Sequence, residues 1–171
     1  MRKVVLNLCI SLDGYIEGVD GEIDWCFTDQ DYGMNSFLAS IDSIFFGRKS
    51  YDQLTEMAPN AFADKKHVIF SNSKRYTGDN QMGISGDIVA NVQKILNEPG
   101  KDIWLFGGAN LFHSFLELNL VDELIIAVHP LLLGSGKPLL KNLPFRKKLI
   151  FKECKPYSTG LVQLFYSIDK K

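Results

Sequence analysis

Long apolar runs are missing from this chain of 171 residues. The stretch Val4-Val5-Leu6-Asn7-Leu8-Cys9-Ile10 is only seven residues long, whereas a membrane span needs about 20. It follows Met-Arg-Lys, but it lacks the longer apolar core and small-residue cleavage site of a secretory signal, so it reads as a first strand. Cysteine is scarce: Cys9, Cys26 and Cys154 are odd in number and far apart. They form no C-x-x-C pair and no disulfide framework, and single scattered thiols suit a reducing compartment. The expected location is the cytoplasm. Charge of one sign is missing too. A formal net charge of -1 gives no reason to expect nucleic acid or an anionic membrane surface as a partner. The three histidines, His67, His113 and His129, lack metal-ligand spacing, and no metal is expected. There is no internal repeat, low-complexity tract or proline-rich linker. One domain covering residues 1–171 is therefore expected.

What is present is an alternation of strands and helices. Val4 to Ile10 is almost continuously apolar, as in a strand buried on both faces. Ser11-Leu12-Asp13-Gly14 breaks it with turn chemistry. Residues 17 to 30 read as an acidic loop. Asp31 opens a helix to about Ile41, with Met34, Phe37, Leu38 and Ile41 on one face. Strands follow at Ser43 to Phe46 and His67 to Phe70. Ile88 to Leu96 is a helix closed by Asn97-Glu98-Pro99-Gly100, Ile103 to Phe106 a strand, and Leu111 to Leu118 a helix. Glu123 to Val128, Leu149 to Glu153 and Val162 to Ser167 are late strands, the last two without a helix between them. The expectation is an α/β fold whose central sheet is mostly parallel, flanked by helices, with antiparallel C-terminal strands.

Three loops at strand ends carry candidate chemistry. Gly107-Gly108 lies between a buried strand and an amphipathic helix. Glycines there let a backbone approach a ligand, and the helix start offers free N–H groups and a positive dipole end. Such a pair is also compatible with a tight structural turn, and it is not a G-x-G-x-x-G fingerprint. Gly47-Arg48-Lys49-Ser50 repeats the arrangement with two cations and a hydroxyl, the alternative being a solvated helix start. Ser71-Asn72-Ser73-Lys74-Arg75 is either a third anion-binding loop or an exposed polar one. In a parallel sheet the carboxyl ends of the strands share one edge, where nucleotides bind.

In order and spacing these segments resemble the dihydrofolate-reductase-like family. Phe46-Gly47-Arg48-Lys49-Ser50-Tyr51 resembles the Gly-Arg-x-Thr-Trp/Tyr segment of dihydrofolate reductases. Lys66 to Ser71 resembles their next strand and serine loop, and Ile103 to Phe112 their strand, Gly-Gly pair and helix. Ser11-Leu12-Asp13-Gly14, Leu120 to Leu124 and Pro130 to Gly134 are more similar to the reductase domain of riboflavin biosynthesis. The arginine that those enzymes often carry is replaced by Leu38, and the zinc motifs of their deaminase half are missing.

The resemblance implies NADPH as cofactor and a small heterocycle, of pterin/folate or pyrimidine type, as hydride acceptor. Gly107, Gly108, Ala109, Leu111 and Phe112 would hold the pyrophosphate side, with Gly47, Arg48, Lys49 and Ser50 at the phosphates. Ser71, with Arg48 or Lys74, would reach the adenosine 2'-phosphate, and Arg75 lies close by in the sequence. Family spacing places the catalytic carboxylate at Asp31, which a helix N-cap would explain equally, and Asp29 competes for either role. Asp13 reads as a turn residue whose backbone lines the nicotinamide pocket, with Tyr15 and Ile16 as apolar walls. Trp25 either covers the ring or anchors the core. Riboflavin-type reductases tend to be dimers, and Leu131, Leu132, Leu133, Leu139 and Leu140 put apolar surface on a late segment, so a homodimer is expected. The competing reading is a nucleotide-binding module with the same fold and no turnover.

Overall fold

Residues 1–170 are described in the computed structural model. The order is β1 (Val4–Ser11), β2 (Tyr15–Glu17), α1 (Met34–Ser40), β3 (Ile41–Gly47), α2 (Arg48–Met57) and β4 (Lys66–Phe70). There follow β5 (Thr77–Gly78), β6 (Gln81–Ile84), α3 (Ile88–Asn97), β7 (Asp102–Gly107) and α4 (Ala109–Glu117). The chain ends with β8 (Glu123–His129), β9 (Lys137–Pro138), β10 (Leu149–Pro156) and β11 (Val162–Ile168).

Nine strands form one sheet in the order β10-β11-β8-β1-β7-β3-β4-β6-β5. From β8 to β6 all neighbours are parallel. β11 and β10 extend one side antiparallel, and the two-residue β5 ends the other. This is the mostly parallel α/β sheet with antiparallel C-terminal strands that the sequence pattern led us to expect, and it agrees with the fold that the family resemblance implies. The short hairpin β5–β6 and the ribbon β2–β9 went unread, because neither carries an alternating apolar pattern.

Strand alternation sends successive side chains to opposite faces. Val4, Leu6, Phe45, Ile103 and Leu105 meet Val92 and Ile95 of α3 and Phe112 and Phe115 of α4 on one face. Val5, Ile44, Phe46, Ile69 and Trp104 meet Phe37 of α1 and Tyr51 of α2 on the other. Both faces of the central strands are thus covered, which is why their sequences read as apolar runs rather than alternating ones. Deleting a ring as deeply buried as Phe45 costs about 3–5 kcal/mol.

The end of the sheet away from the strands' carboxyl termini is clamped by Arg2, which is buried. Its guanidinium donates to the Lys101 carbonyl at 2.6 Å and to Ser43 Oγ at 2.9 Å, and it pairs with Asp42. α1 begins at Met34, three residues later than the sequence suggests, because Tyr32 and Gly33 sit at φ 48° and 78°. Left-handed backbone cannot continue into a helical turn.

Candidate functional site

β3 and β7 end on glycine pairs or single glycines that stack back to back. A Cβ on Gly47 would lie 3.4 Å from both the Gly107 carbonyl oxygen and the Gly108 nitrogen. Gly107 has φ 110°, the Gly107–Gly108 peptide is cis, and a Cβ on Gly108 would lie 3.1 Å from Ser50 Oγ. Two helices start from this point, α2 with Gly47 at its N-cap and α4 with Gly108 at its N-cap, and neither has a side-chain cap. α3 differs: Asp87 accepts from the Ala90 N–H at 3.0 Å. First-turn amides without a cap need another acceptor, and an anion suits them.

The two helix starts open on a polar cleft of about 480 Å³. Arg48, Lys49, Ser50, Ser71, Ala109 and Leu111 line it, all of them expected from the sequence. Among the described residues, neither the Arg48 nor the Lys49 side chain makes a hydrogen bond or ion pair, although the Arg48 charge helps to lower the Asp52 pKa. Lys74 does: its Nζ donates to Asp52 Oδ1 at 2.8 Å, and Tyr76 donates to the same oxygen. The Lys74 hydrogen bond, helped by Tyr76, holds the Asp52 carboxyl below its ordinary value. Lys74 and Arg75 are not among the cleft's lining residues. The Ser71 hydroxyl accepts from the Ser73 and Lys74 amides at 3.3 and 3.0 Å, which shapes the loop. Asn72, Ser85, Gly86, Asn110 and Lys137 also line the cleft. Only Asn72 and Asn110 lay within segments whose pattern pointed there.

A second space, of about 400 Å³, shares Ser50, Gly108 and Ala109 with the cleft. Its walls are mainly apolar: Leu8 of β1, Ile16 of β2, Met34 of α1, Leu54 of α2, and Trp104 and Phe106 of β7. Phe112 closes its base from the core rather than lining the cleft. Asn7, Cys9, Glu17, Cys26 and Gln53 add polar groups. Glu17 is the cavity's carboxylate, and its Oε1 accepts from Lys137 Nζ at 2.9 Å. Lys137 itself lines the polar cleft, so this ion pair spans the junction of the two spaces. Gly136 lets β9 come that close: at φ 143° its missing Cβ would lie 2.2 Å from the Glu17 carbonyl oxygen.

Of the residues expected at the substrate, Ile16 lines the cavity while Asp13, Tyr15 and Trp25 do not. Asp13 accepts from Ser11 Oγ and from the Leu133 and Gly134 amides, at 2.6, 3.1 and 2.7 Å. Those bonds, the Ser11 hydroxyl first, hold its carboxyl below the ordinary range. Tyr15 pairs with Pro138 in the β2–β9 ribbon. Trp25 meets the His129 ring edge-on, with centroids 5.3 Å apart, and donates to the Glu22 carbonyl. Asp31 is exposed, and its two carboxylate oxygens accept from the Gly33 and Asn35 amides at 3.1 and 2.9 Å. Asp29 accepts from the Tyr32 hydroxyl at 2.7 Å. Neither carboxylate is among the residues lining the cavity.

The fold brings together a group that spacing along the chain concealed. The ligand atoms of Cys9, Cys26 and His129 lie within 4.8 Å of one another. His129 is fully buried, with Nε2 accepting from the Phe27 N–H at 3.0 Å and Nδ1 set 3.2 Å from the Ala127 carbonyl. These bonds assign a neutral ring protonated at Nδ1, and burial pushes its pKa down. With both nitrogens engaged, the imidazole has no lone pair to offer a metal.

A family model described as the RibD C-terminal domain matches residues 2–163. Two Bacillus subtilis proteins, the uncharacterized YyaP and YwjB, are 40% and 35% identical over 96% of this chain. Those alignments cover 94% and 97% of the two relatives. Among solved structures, a riboflavin biosynthesis protein of Shewanella sp. PV-4 superposes with TM-score 0.88 at 23% identity, covering 99% of this chain and all of that one. Dihydrofolate reductase of Enterococcus faecalis, complexed with NADP(H), superposes with TM-score 0.71 at 10% identity, covering 98% of this chain and 97% of that one.

Proposed function

The chain belongs to the RibD C-terminal domain family, and from that premise we propose that it is an NADPH-dependent reductase acting on a small heterocycle of pterin/folate or pyrimidine type. The observation that carries this reading is the pair of uncapped helix starts, meeting at stacked glycines and opening directly into an apolar cavity. A dinucleotide needs an anion site for its pyrophosphate and a drier place for its reactive ring, and the shared wall of Ser50, Gly108 and Ala109 joins the two.

In this reading the amides of Arg48 to Ser50 and Ala109 to Leu111 hold the phosphates. Arg48 and Lys49, whose side chains make no hydrogen bond or ion pair among the described residues, supply charge, with the Ser71 hydroxyl alongside. Bound there, the cofactor supplies a hydride to a substrate in the cavity. Ile16, Leu54, Trp104 and Phe106 exclude water around the substrate, and Asn7 and Gln53 offer amides for a heterocycle's ring edge. Reduction of a C=N bond also needs a proton. The Glu17–Lys137 pair is the better placed route, because it borders the cavity while both Asp31 oxygens are engaged in capping the turn before α1.

One domain, a cytoplasmic location and a homodimer belong to the same proposal. No helix among the described residues is long and apolar enough to cross a membrane. A second copy would cover β10, an edge strand whose eight residues are all exposed, Phe151 at 60%. Unpaired edges that long invite a partner strand. Of the late leucines, Leu132 and Leu140 are exposed while Leu139 packs against the core.

Titration of the protein with NADPH and NADH, followed by fluorescence or calorimetry, tests the proposal. Tighter binding of NADPH, then NADPH oxidation with a member of a pterin and pyrimidine panel, is the expected result. Binding of neither cofactor would overturn it. Binding without oxidation across the panel would favour the nucleotide-binding module, a reading that the capping role of Asp31 also fits.

A further inference from the structure

Cys9 sits on β1, and Cys26 on the segment between β2 and α1. Both are half-buried, both line the apolar cavity, and their sulfurs lie within 4.8 Å of each other. We propose that Cys9 and Cys26 form a reversible dithiol–disulfide site that takes a hydroperoxide as oxidant and ties the 18–33 segment to β1 at the cavity wall.

The position is suited to it on three counts. The Cys26 thiol, hydrogen-bonding to Cys9, holds the Cys9 thiol below its ordinary value and leaves its own pushed up. Cys9, fixed on β1 at the cavity wall, is taken as the nucleophile, and Cys26, on a segment without regular structure, as the resolving thiol. The cavity gives a small oxidant a path to a sulfur that the rest of the fold covers. Residues 18–33 form no helix or strand, so no strand ladder or helical turn has to break for Cys26 to approach Cys9. The segment is pinned beside the pair by the Phe27 N–H to His129 Nε2 bond and by the Cys26 N–H to Ile23 carbonyl bond at 3.0 Å. The first holds Cys26 beside the β1–β8 strand ends, the second only shapes the turn that carries it, and both engage backbone rather than the Cys26 side chain.

The chemistry balances with the peroxide alone. The Cys9 thiolate attacks one peroxide oxygen, the O–O bond breaks, and hydroxide leaves, giving Cys9 sulfenic acid. The Cys26 thiolate then attacks Cys9 Sγ, the S–O bond breaks, and a second hydroxide leaves as the S–S bond forms. The two thiol protons convert the hydroxides to water. The pair loses two electrons, the peroxide gains them, and added dithiol reverses the change.

The test uses the whole chain carrying Cys154→Ser, which removes the exposed third thiol. Stoichiometric hydrogen peroxide should take the free-thiol count from two to zero and lower the mass by two hydrogens. Peptide mapping should join the segments holding residues 9 and 26, and dithiothreitol should restore both thiols. Amide exchange at 25–27 should slow about tenfold or more in the oxidised form, since a tether suppresses local opening. In the Cys26→Ser variant the reaction should stop at Cys9 as a sulfenic acid that dimedone traps. Oxidation of the two sulfurs as separate sulfinates, or survival of both thiols under peroxide that oxidises Cys154 in the unmodified chain, would overturn the proposal. So would trapping of the sulfenic acid equally well with Cys26 present.

Discussion

The polar cleft and the apolar cavity share a wall but are built by opposite rules. The cleft is assembled largely from residues adjacent in sequence: Gly47 to Ser50 at one strand end and Gly108 to Leu111 at another, with Phe70 to Asn72 and Ile84 to Gly86 beside them. Each of the first two stretches brings its own glycine, its own helix start and its own donors. The cavity draws on β1, β2, α1, α2, β7 and α4 together, with four residues each from β1 and α2, three from β7 and one or two from the others, and it reaches Leu139 after β9. Most of them are ordinary apolar residues that would be equally at home in the core. The cleft is therefore a property of local motifs and the cavity a property of the tertiary fold, so the two should respond differently to substitution. The cleft should govern cofactor affinity and the cavity turnover.

The largest expected effect lies at their junction. Glu17→Gln keeps the shape of the side chain but removes a charge that Lys137 faces at 2.9 Å. General acid–base groups contribute about 10²–10⁴-fold, so kcat should fall by about a hundredfold while NADPH affinity stays nearly constant. Asp31→Asn, measured beside it, should leave kcat almost unchanged and cost about 0.5–1.5 kcal/mol of stability, because an amide can replace only one of the two accepting oxygens. Stopped-flow NADPH oxidation with thermal melts of both variants decides between them. A large kcat loss in Asp31→Asn with none in Glu17→Gln would move the proton route out of the cavity to the turn before α1.

Next in size is Gly108→Val. Its side chain would press on Ser50 Oγ, only 3.1 Å from the first carbon, and on Lys137 Nζ at 3.7 Å. It would also cover the start of α4. NADPH and NADH should both weaken by about a hundredfold, roughly 2.7 kcal/mol, because the pyrophosphate is common to them. Arg48→Ala should weaken NADPH about tenfold and NADH much less, since hydrogen bonds to charged groups contribute roughly 1.5–3 kcal/mol before solvent screening reduces them. Calorimetric titration reads both variants. Equal losses for the two cofactors in Arg48→Ala would remove that arginine from the 2'-phosphate and point to Lys49.

These differences also explain how far the sequence could be read. The parallel sheet and its two late antiparallel strands were legible because β1, β3, β4 and β7 are apolar on both faces and each ends in turn chemistry. The cleft was legible for the same local reason. Lys74 shows where that reasoning stops: its charge was visible, but not its bond to Asp52 twenty-two positions away. Asp31 was placed at a helix start that the left-handed backbone of Tyr32 and Gly33 shifts by three residues. Glu17 carried no signal at all, because its importance depends on Gly136 bringing β9 alongside β2. The Cys9–Cys26–His129 cluster joins residues up to 120 positions apart through the β1–β8 register, in which Cys9 lies opposite Ala127 and Ser11 opposite His129.

The smallest effect separates the two regions by pH. Folded His129 is neutral, its pKa lowered chiefly by burial. The unfolded imidazole takes up a proton at its ordinary value of about 6.5. As pH falls through that range the unfolded chain binds more protons than the folded one, so stability declines, and above it the contribution is complete. One proton sets an upper slope of about 1.4 kcal/mol per pH unit. The loss should appear first where His129 accepts from Phe27 and meets Trp25, that is, in the segment beside the cavity, while the cleft's glycines stay protected. Amide exchange between pH 7.5 and about 5.5 should therefore show faster opening at 25–27 and little change at 108–111. In His129→Gln the difference between the two regions should flatten, because an amide can replace both hydrogen bonds without titrating. An unchanged pH response in that variant would assign the sensitivity to another group and leave cleft and cavity alike in their response to acid.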